Sequence, residues 1–529
     1  AATLAGIPQS PTFLNPKTYP DAALERRNLV LERMLSAGDI TQEQCDAAQA
    51  EPLNLDPAPE VPEDGIYAYP YFTSYVRNLL MEEDNPFGCS YASLFEGGLT
   101  IRTTLNPSLQ DDAEAACAAQ RARMSGDLDA SLVAIDPATG YVEAMVGGGD
   151  YAISQVNIAT GTGGGGRQAG STFKAFTLAA AIEKGISPQT HIDCSSPMTK
   201  EVDGREQTFE NFDNIDYGVR TIQSATAVSA NTGYLRLSEE IGQAATTEMA
   251  ERLGVESPMN TVYTTTLGVA SVTPLDMASA YATLASGGTK REPIVITEIE
   301  DKDGNIIYKA DDTSKRVISE EVAGATTKVL RQVFEASDGT AQTAKLGNGQ
   351  PVAGKTGTST DFADHWLVGY TPSLSVATWI GNPAGSIATD TQLNCNALWK
   401  DFMDRACAGK AVEQFPETKA PSYNNAFNEK QKAALGTEEE KSSDKQTPTT
   451  ITSGSQTATS SQASGTANAK TPPDVTGKTL EEAKELLKDW KAGSVTEYSS
   501  TIPKDSVIRQ YIASDGMVVV VLSTGPKTN

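Results

Sequence analysis

Residues 130–149 read ASLVAIDPATGYVEAMVGGG. Two β-rich runs flank Pro137-Ala138-Thr139-Gly140, a turn composition, so the stretch predicts a hairpin. It opens the largest unit of the chain. Downstream, helical patterns occupy roughly 171–184, 219–253 and 275–287, and strand patterns return at 293–299, 305–308, 351–354, 365–370 and 374–381. Strands at both ends of a unit with helices between them imply one sheet assembled from distant parts of the chain. The expected class is α+β rather than repeating βαβ.

On the N-terminal side, Ala23, Leu24, Leu31, Met34 and Leu35 recur near helical spacing until Gly38, which predicts a helical segment over 1–50. A Pro-rich, acidic stretch at 52–65, PLNLDPAPEVPEDG, reads as a connector and begins a linker region over 51–125. That region holds an expected strand at 99–104 and a helix through Leu109, Ala113, Ala116 and Ala119. On the C-terminal side, 418–470 is expected to be a disordered tether, because its Ser/Thr-rich part, 442–470, has no aromatic residue with which to form a core. Order is expected to return over 471–529. There Thr479 and Glu482 form a capping box before a helix whose Leu480, Ala483, Leu487 and Trp490 share a face. The runs VTEYS, SVIRQY and MVVVVLS follow, giving a small βαββ-like module with a thin core.

The chain has 529 residues and a formal net charge of -26, the wrong sign for a protein that must neutralise phosphates. Nucleic acid and anionic lipid are therefore not expected partners. The longest apolar run, Met517 to Leu522, is far shorter than the ~20 residues of a membrane span, so no transmembrane segment is expected. The opening AATLAGIPQSP has neither an initiator Met nor a signal peptide, and the sequence reads as part of a longer protein. Six cysteines without CxxC spacing and two isolated histidines, His191 and His365, predict neither a disulfide scaffold nor a metal site. Cys395 and Cys407 bracket an apparent helix and would lie roughly 18 Å apart, too far for a bridge.

Three short motifs carry the candidate chemistry. In Arg167-Gln-Ala-Gly-Ser-Thr-Phe-Lys174, Ser171 and Lys174 are spaced i, i+3 at the start of a predicted helix. That spacing stacks hydroxyl and amine on one face, where a lysine of lowered pKa would accept the serine proton. Ser229-Ala-Asn231 lies within the helical pattern VRTIQSATAVSANTGYLRL. Lys355-Thr356-Gly357-Thr358 follows an apolar run and is placed on a strand, where Gly357 would let a ligand approach the backbone and the flanking groups would meet a carboxylate. Each motif alone also fits ordinary structure, since Ser442 to Lys445 and Ser422-Tyr-Asn424 repeat two of the patterns by chance.

Together, in this order, they are the set found in penicillin-binding proteins and serine β-lactamases. The surrounding text, RQAGSTFKAF, SANTGYLRL, TLGVASVTPLDMASAYATLASGG and VAGKTGTSTDFADHWLVGYTP, resembles the transpeptidase domain of class A, bifunctional penicillin-binding proteins. The resemblance covers 126–417 and implies an antiparallel sheet flanked by helices. Residues 1–50 resemble the end of that family's glycosyltransferase domain, and 471–529 resemble a PASTA module. The glycosyltransferase motif E-D-x-x-F-x-x-H-x-G is not in this sequence, so glycan polymerisation is not expected of it. The family often has Pro where Ala169 stands, and Asp-Ala-Trp where Asp364-His365-Trp366 stands.

The resemblance implies a serine D,D-transpeptidase without cofactor at the extracytoplasmic face of the bacterial plasma membrane. Its partners would be peptidoglycan stem peptides, β-lactams and, at the PASTA-like module, muropeptides. Ser171 would be the nucleophile, Lys174 the base and Ser229 the proton relay. Asn231, Lys355, Thr356, Gly357 and Thr358 would bind substrate. Two alternatives stay open: a β-lactamase, for which Glu256 with Asn260 would supply the water-activating base, and a non-catalytic peptidoglycan or β-lactam receptor.

Overall fold

The predicted hairpin forms one side of a five-stranded sheet. Its strands, β1 (Asp129–Ile135) and β2 (Val142–Val146), are joined by β3 (Ala353–Thr358), β4 (Asp364–Tyr370) and β5 (Ser375–Gly381) in the order β3-β4-β5-β1-β2. All four pairings are antiparallel, and the register sets Thr358 opposite His365 and Trp366 opposite Trp379. The computed structural model describes residues 1–53, 55, 68–124, 126–359, 362–385, 387–390, 393–424, 426–427 and 429–430 of one unit, Ala1–Glu440. Of a second unit, Lys441–Asn529, it describes 473, 475, 478–488, 492–497, 503, 506–512 and 518–523. Most of the Pro-rich connector, the Ser/Thr-rich stretch and Trp490 lie outside the described residues.

Both faces of the sheet are covered, which is why its strands are buried at nearly every position. Side chains alternate between faces. Val133, Ile135, Met145, Trp366, Val368, Tyr370 and Trp379 belong to one core. Their neighbours Leu132, Ala134, Val146, Leu367, Val376 and Ile380 belong to another. The second face is covered by α1 (Pro107–Arg121) and α8 (Asn396–Ala406) through Leu109, Ala113, Leu398, Trp399 and Phe402. The first is covered by α2 (Lys174–Glu183), α6 (Pro274–Ala285) and α7 (Glu320–Glu335). Each fully buried Leu, Val or Phe side chain contributes roughly 1.5–3 kcal/mol of burial. The order of layers is therefore set by apolar area.

Four expectations change. The helical pattern at 219–253 is not one helix: Val219–Thr221 is a short strand paired with His191–Asp193, followed by α3 (Ile222–Ala227), α4 (Asn231–Ile241) and α5 (Ala244–Leu253). The first break is at Ser229, whose φ is 60°, and the second at Gly242, φ 83°. Residues 68–121 are more than a linker, because α1 closes one face of the sheet and Phe72, Val76 and Leu80 join the core on the other. Nor does the tether begin at 418. Phe427 is buried, the Asn424 amide donates to Gly185 O at 2.6 Å, and Lys430 pairs with Glu240 at 2.7 Å. The second unit has the capped helix α9 (Leu480–Leu486) and the strands β6 (Ala492–Glu497), β7 (Val507–Ile512) and β8 (Val518–Ser523), ordered β6-β8-β7. Among its described residues the order is αβββ instead of the expected βαββ, and before the helix Thr479 makes only an isolated bridge with Ser506. Its core contains Val475, Ala483, Leu487, Val507 and Val520.

The segment 1–50 is helical as expected, over Ala2–Gly6, Pro20–Ala37 and Gln42–Ala50, with buried Arg27 donating to Glu51 O at 2.6 Å. All six cysteines are free, so Cys89 and Cys117 do not pair, and Cys395 and Cys407 flank the two ends of α8. No described helix is long and apolar enough to cross a membrane.

Candidate active site

The three motifs meet beside the edge strand β3. Residues Gly170–Phe173 form a single 3₁₀ turn that runs into α2, so Ser171 precedes Lys174 by one turn. Glycine is required at position 170, where φ is +54° and a Cβ would lie 2.5 Å from Thr358 O. The turn is braced on each side. The Gly170 amide donates to Gly268 O at 2.9 Å, Trp366 Nε1 to Gln168 O at 2.7 Å and Tyr281 Oη to Thr172 O at 2.8 Å. Three separate segments thus hold the serine-bearing turn in place.

Lys174 is fully buried and has four oxygen neighbours. Its Nζ lies 2.7 Å from Ser229 O, 2.7 Å from Asn231 Oδ1, 2.9 Å from Ser171 Oγ and 3.2 Å from Ser229 Oγ. The first two atoms can only accept, because Asn231 Nδ2 is turned away to donate to Glu210 O at 2.8 Å. Burial, with the charge of nearby Lys355 as a second cause, holds Lys174 well below the ordinary lysine value. A neutral amine has two protons, and both are taken by these acceptors. The lone pair is left to accept from the Ser171 hydroxyl. Lys174 Nζ also sits over the Tyr234 ring, 5.6 Å from its centroid, and Tyr234 Oη is bonded to Thr226 Oγ1 at 2.6 Å.

The backbone at Ser229 explains why its carbonyl is free. With α3 ended at Ala227 and Ser229 in the left-handed region, the carbonyl points to Lys174 instead of closing a helical turn. Such a conformation costs of order 1–3 kcal/mol in a non-glycine residue and persists where surrounding structure demands it. Here the demand is the amine.

On the opposite wall, β3 carries Lys355, also fully buried, whose Nζ donates to Ser229 Oγ at 2.8 Å and Thr356 O at 3.1 Å. Burial lowers its pKa to about 7. Thr356 and Thr358 are partly exposed at the cleft, and Thr356 Oγ1 meets Thr340 Oγ1 at 2.6 Å. Gly357 is placed differently from expectation. A Cβ there would lie 2.6 Å from Ala169 O and 2.8 Å from Thr172 Cγ2, so the chain's own serine-bearing turn occupies the space left for a ligand.

The structure does not bring Glu256 to this cluster. Its amide donates to Asp276 Oδ1 at 2.9 Å, and burial with neighbouring Glu292 raises its carboxyl pKa. None of Ser171, Lys174, Ser229 or Lys355 is among its partners. His191 is exposed, and His365 is buried with Nε2 bonded to Thr389 Oγ1 at 2.6 Å. Among the described residues no group of His, Cys, Asp and Glu is arranged to hold a metal. The sequence reading missed Gly268, where a Cβ would collide with Gly170 O, and Tyr234 beneath Lys174. Both stand inside stretches already quoted, but only proximity reveals their roles.

Comparison with known proteins identifies two domains in the chain. The penicillin binding protein transpeptidase domain matches residues 130–390, and the PASTA domain matches 470–522. Penicillin-binding protein 1A of Mycolicibacterium smegmatis is 33% identical over 457 residues, covering 79% of this chain and 55% of that protein. The penicillin-binding protein PonA1 from Mycobacterium tuberculosis is 31% identical and superposes with a TM-score of 0.56, covering 63% of this chain and 93% of the solved one. PonA1 in complex with penicillin V gives 29% and 0.57 over 67% of this chain. The chain spans 55–62% of the length of the first curated relatives it matches, so each comparison concerns a part of those proteins.

Proposed function

Because this chain belongs to the penicillin-binding protein family and carries its transpeptidase domain, we propose that it is a serine D,D-transpeptidase that crosslinks peptidoglycan stem peptides and is acylated by β-lactams. Ser171 Oγ attacks the carbonyl carbon between two D-Ala residues while its proton passes to Lys174 Nζ. The backbone N–H groups of Ser171 and Thr358 receive the oxyanion; the close approach of Gly170 to Thr358 supports that pairing. The C–N bond then breaks as Ser229 Oγ gives its proton to the leaving amine and regains one from the Lys174 ammonium. An amine of a neighbouring stem attacks the ester carbonyl, and Ser171 leaves with a proton returned through Lys174. Lys355 holds the Ser229 hydroxyl, Asn231 binds the stem backbone, and Thr356 and Thr358 receive the terminal carboxylate.

The observation that carries this reading is the Lys174 amine, 2.9 Å from Ser171 Oγ with both remaining protons directed at acceptors. The partners of Glu256 disfavour a β-lactamase. Fluorescent penicillin should label the chain persistently. Ser171→Ala should abolish labelling while costing ~1 kcal/mol or less of stability. Transient labelling would instead identify a hydrolase, and none would identify a receptor. We place the chain at the extracytoplasmic face of the bacterial membrane, assign its PASTA domain to muropeptides of the wall, and assign no glycan polymerisation to residues 1–50.

A further inference from the structure

Thr340 is an exposed residue on a heavily supported backbone. Its amide donates to Ala227 O at 3.1 Å, and its carbonyl accepts from Asn396 Nδ2 at 3.1 Å. Asn396 also donates to Thr343 Oγ1 at 2.9 Å. On the other flank the Ala341 amide donates to Val333 O at 2.9 Å, and a Cβ on Gly339 would lie 2.8 Å from Gln332 O. These contacts tie residue 340 to α3, α7 and α8, yet its own side chain is left at the cleft. There its hydroxyl has one described partner, Thr356 Oγ1 at 2.6 Å, in the strand that carries Lys355.

We propose that Thr340 is a specificity-determining residue, a third hydroxyl of the site that receives a substrate's free carboxylate. The inference rests on the transpeptidase reading given above. A hydroxyl has one proton and two acceptor positions. In a pair only 2.6 Å apart, one hydroxyl donates and the other keeps its proton for a further acceptor. If Thr340 donates to Thr356, the Thr356 proton is directed to the incoming anion and polarised by the bond behind it. If the pair opens, both hydroxyls donate to the two carboxylate oxygens. Either way Thr340 supplies a donor that matters most when the ligand bears negative charge. Its braced backbone fixes that donor in place before binding. Hydrogen bonds to charged groups are roughly twice as strong as those between neutral ones, so the effect separates by ligand charge.

The test measures second-order acylation rates of the full chain with a penicillin and with the methyl ester of its carboxyl group. For Thr340→Val we expect about a tenfold loss toward the free acid, the size of one charged hydrogen bond, with the ester changed by less than about twofold. Thr340→Ser should restore the free-acid rate to within about twofold, because it keeps the hydroxyl. An equal loss toward acid and ester, or no loss toward either, overturns the proposal and makes the 2.6 Å contact a loop fastening. If Thr340→Val fails to fold, the acid-to-ester ratio of Thr340→Ser and Thr340→Ala decides by the same criterion. Failure of the unsubstituted chain to be acylated by the acid would overturn the transpeptidase reading and this inference together. Normal acylation with an unchanged ratio overturns this inference alone.

Discussion

The helix wall and the strand wall of the cleft each contribute one fully buried lysine, and the two are held by different partners. Lys174, on α2, faces four oxygens within 3.2 Å, two of which can only accept. Lys355, on β3, faces two and is brought to a pKa of about 7 by burial alone. Lys174 is likewise held well below the ordinary lysine value, by burial first and by the neighbouring charge of Lys355 second. Burial makes a lysine titratable, whereas the acceptors around it decide which atom it serves. In the proposed mechanism one wall supplies a base, and the other supplies a charge that can be present or absent near neutral pH.

The largest effect is expected of Lys174→Met. It should cost ~10³–10⁴ in the rate of penicillin acylation, the upper range for one proton-transfer group. A loss below tenfold would show that another group takes the Ser171 proton.

A smaller effect is expected on the strand wall. Lys355→Met should cost about 10² in the same rate, the low end for one preorganised electrostatic donor. The native enzyme should also lose acylation rate as pH rises above about 7, because a lysine is charged only below its pKa. Stopped-flow acylation from pH 5 to 10 reads this limb, which Lys355→Met should flatten. A limb that survives the substitution would assign it to a different group.

The smallest effect concerns stability. Between about 7 and the ordinary 10.5, the unfolded chain holds a proton on Lys355 that the folded chain has released. Stability should therefore rise with pH across that window and carry a constant penalty below about 7. Thermal denaturation of Lys355→Met should show a shallower rise over pH 7 to 10, with a Tm at pH 6 at or above that of the unsubstituted chain. An unchanged slope would mean that Lys355 is not the group releasing the proton.

Much of this site is legible in sequence because its parts are local. Ser171 and Lys174 sit one turn apart whatever the rest of the chain does. Lys355 to Thr358 follow an apolar run that is a strand in the structure. Ser229 is different. Its flanking residues are all compatible with a helix, so pattern reading carries a helix through it. The break is stabilised by a bond from Lys174, far away in sequence, to the Ser229 carbonyl. Residues 418–430 mislead in the opposite direction, since a polar composition suggests a tether while Phe427 and the Asn424 amide dock on the folded unit.

The amino-acid sequence alone determined the α+β class, the hairpin at one side of the sheet, the capped helix of the second unit and the residue types gathered at the candidate site. These follow from periodicity, capping and short spacings, which act within a few residues. Tertiary structure alone decided the left-handed Ser229, the occupation of the space beside Gly357 by the 169–172 turn, and the pairing of Thr340 with Thr356. It also decided that α1 closes the sheet instead of leading up to it. Each of these is a contact between segments distant in the chain. Its free energy comes from satisfying a buried amine or covering an apolar face, and neither requirement exists until the segments meet.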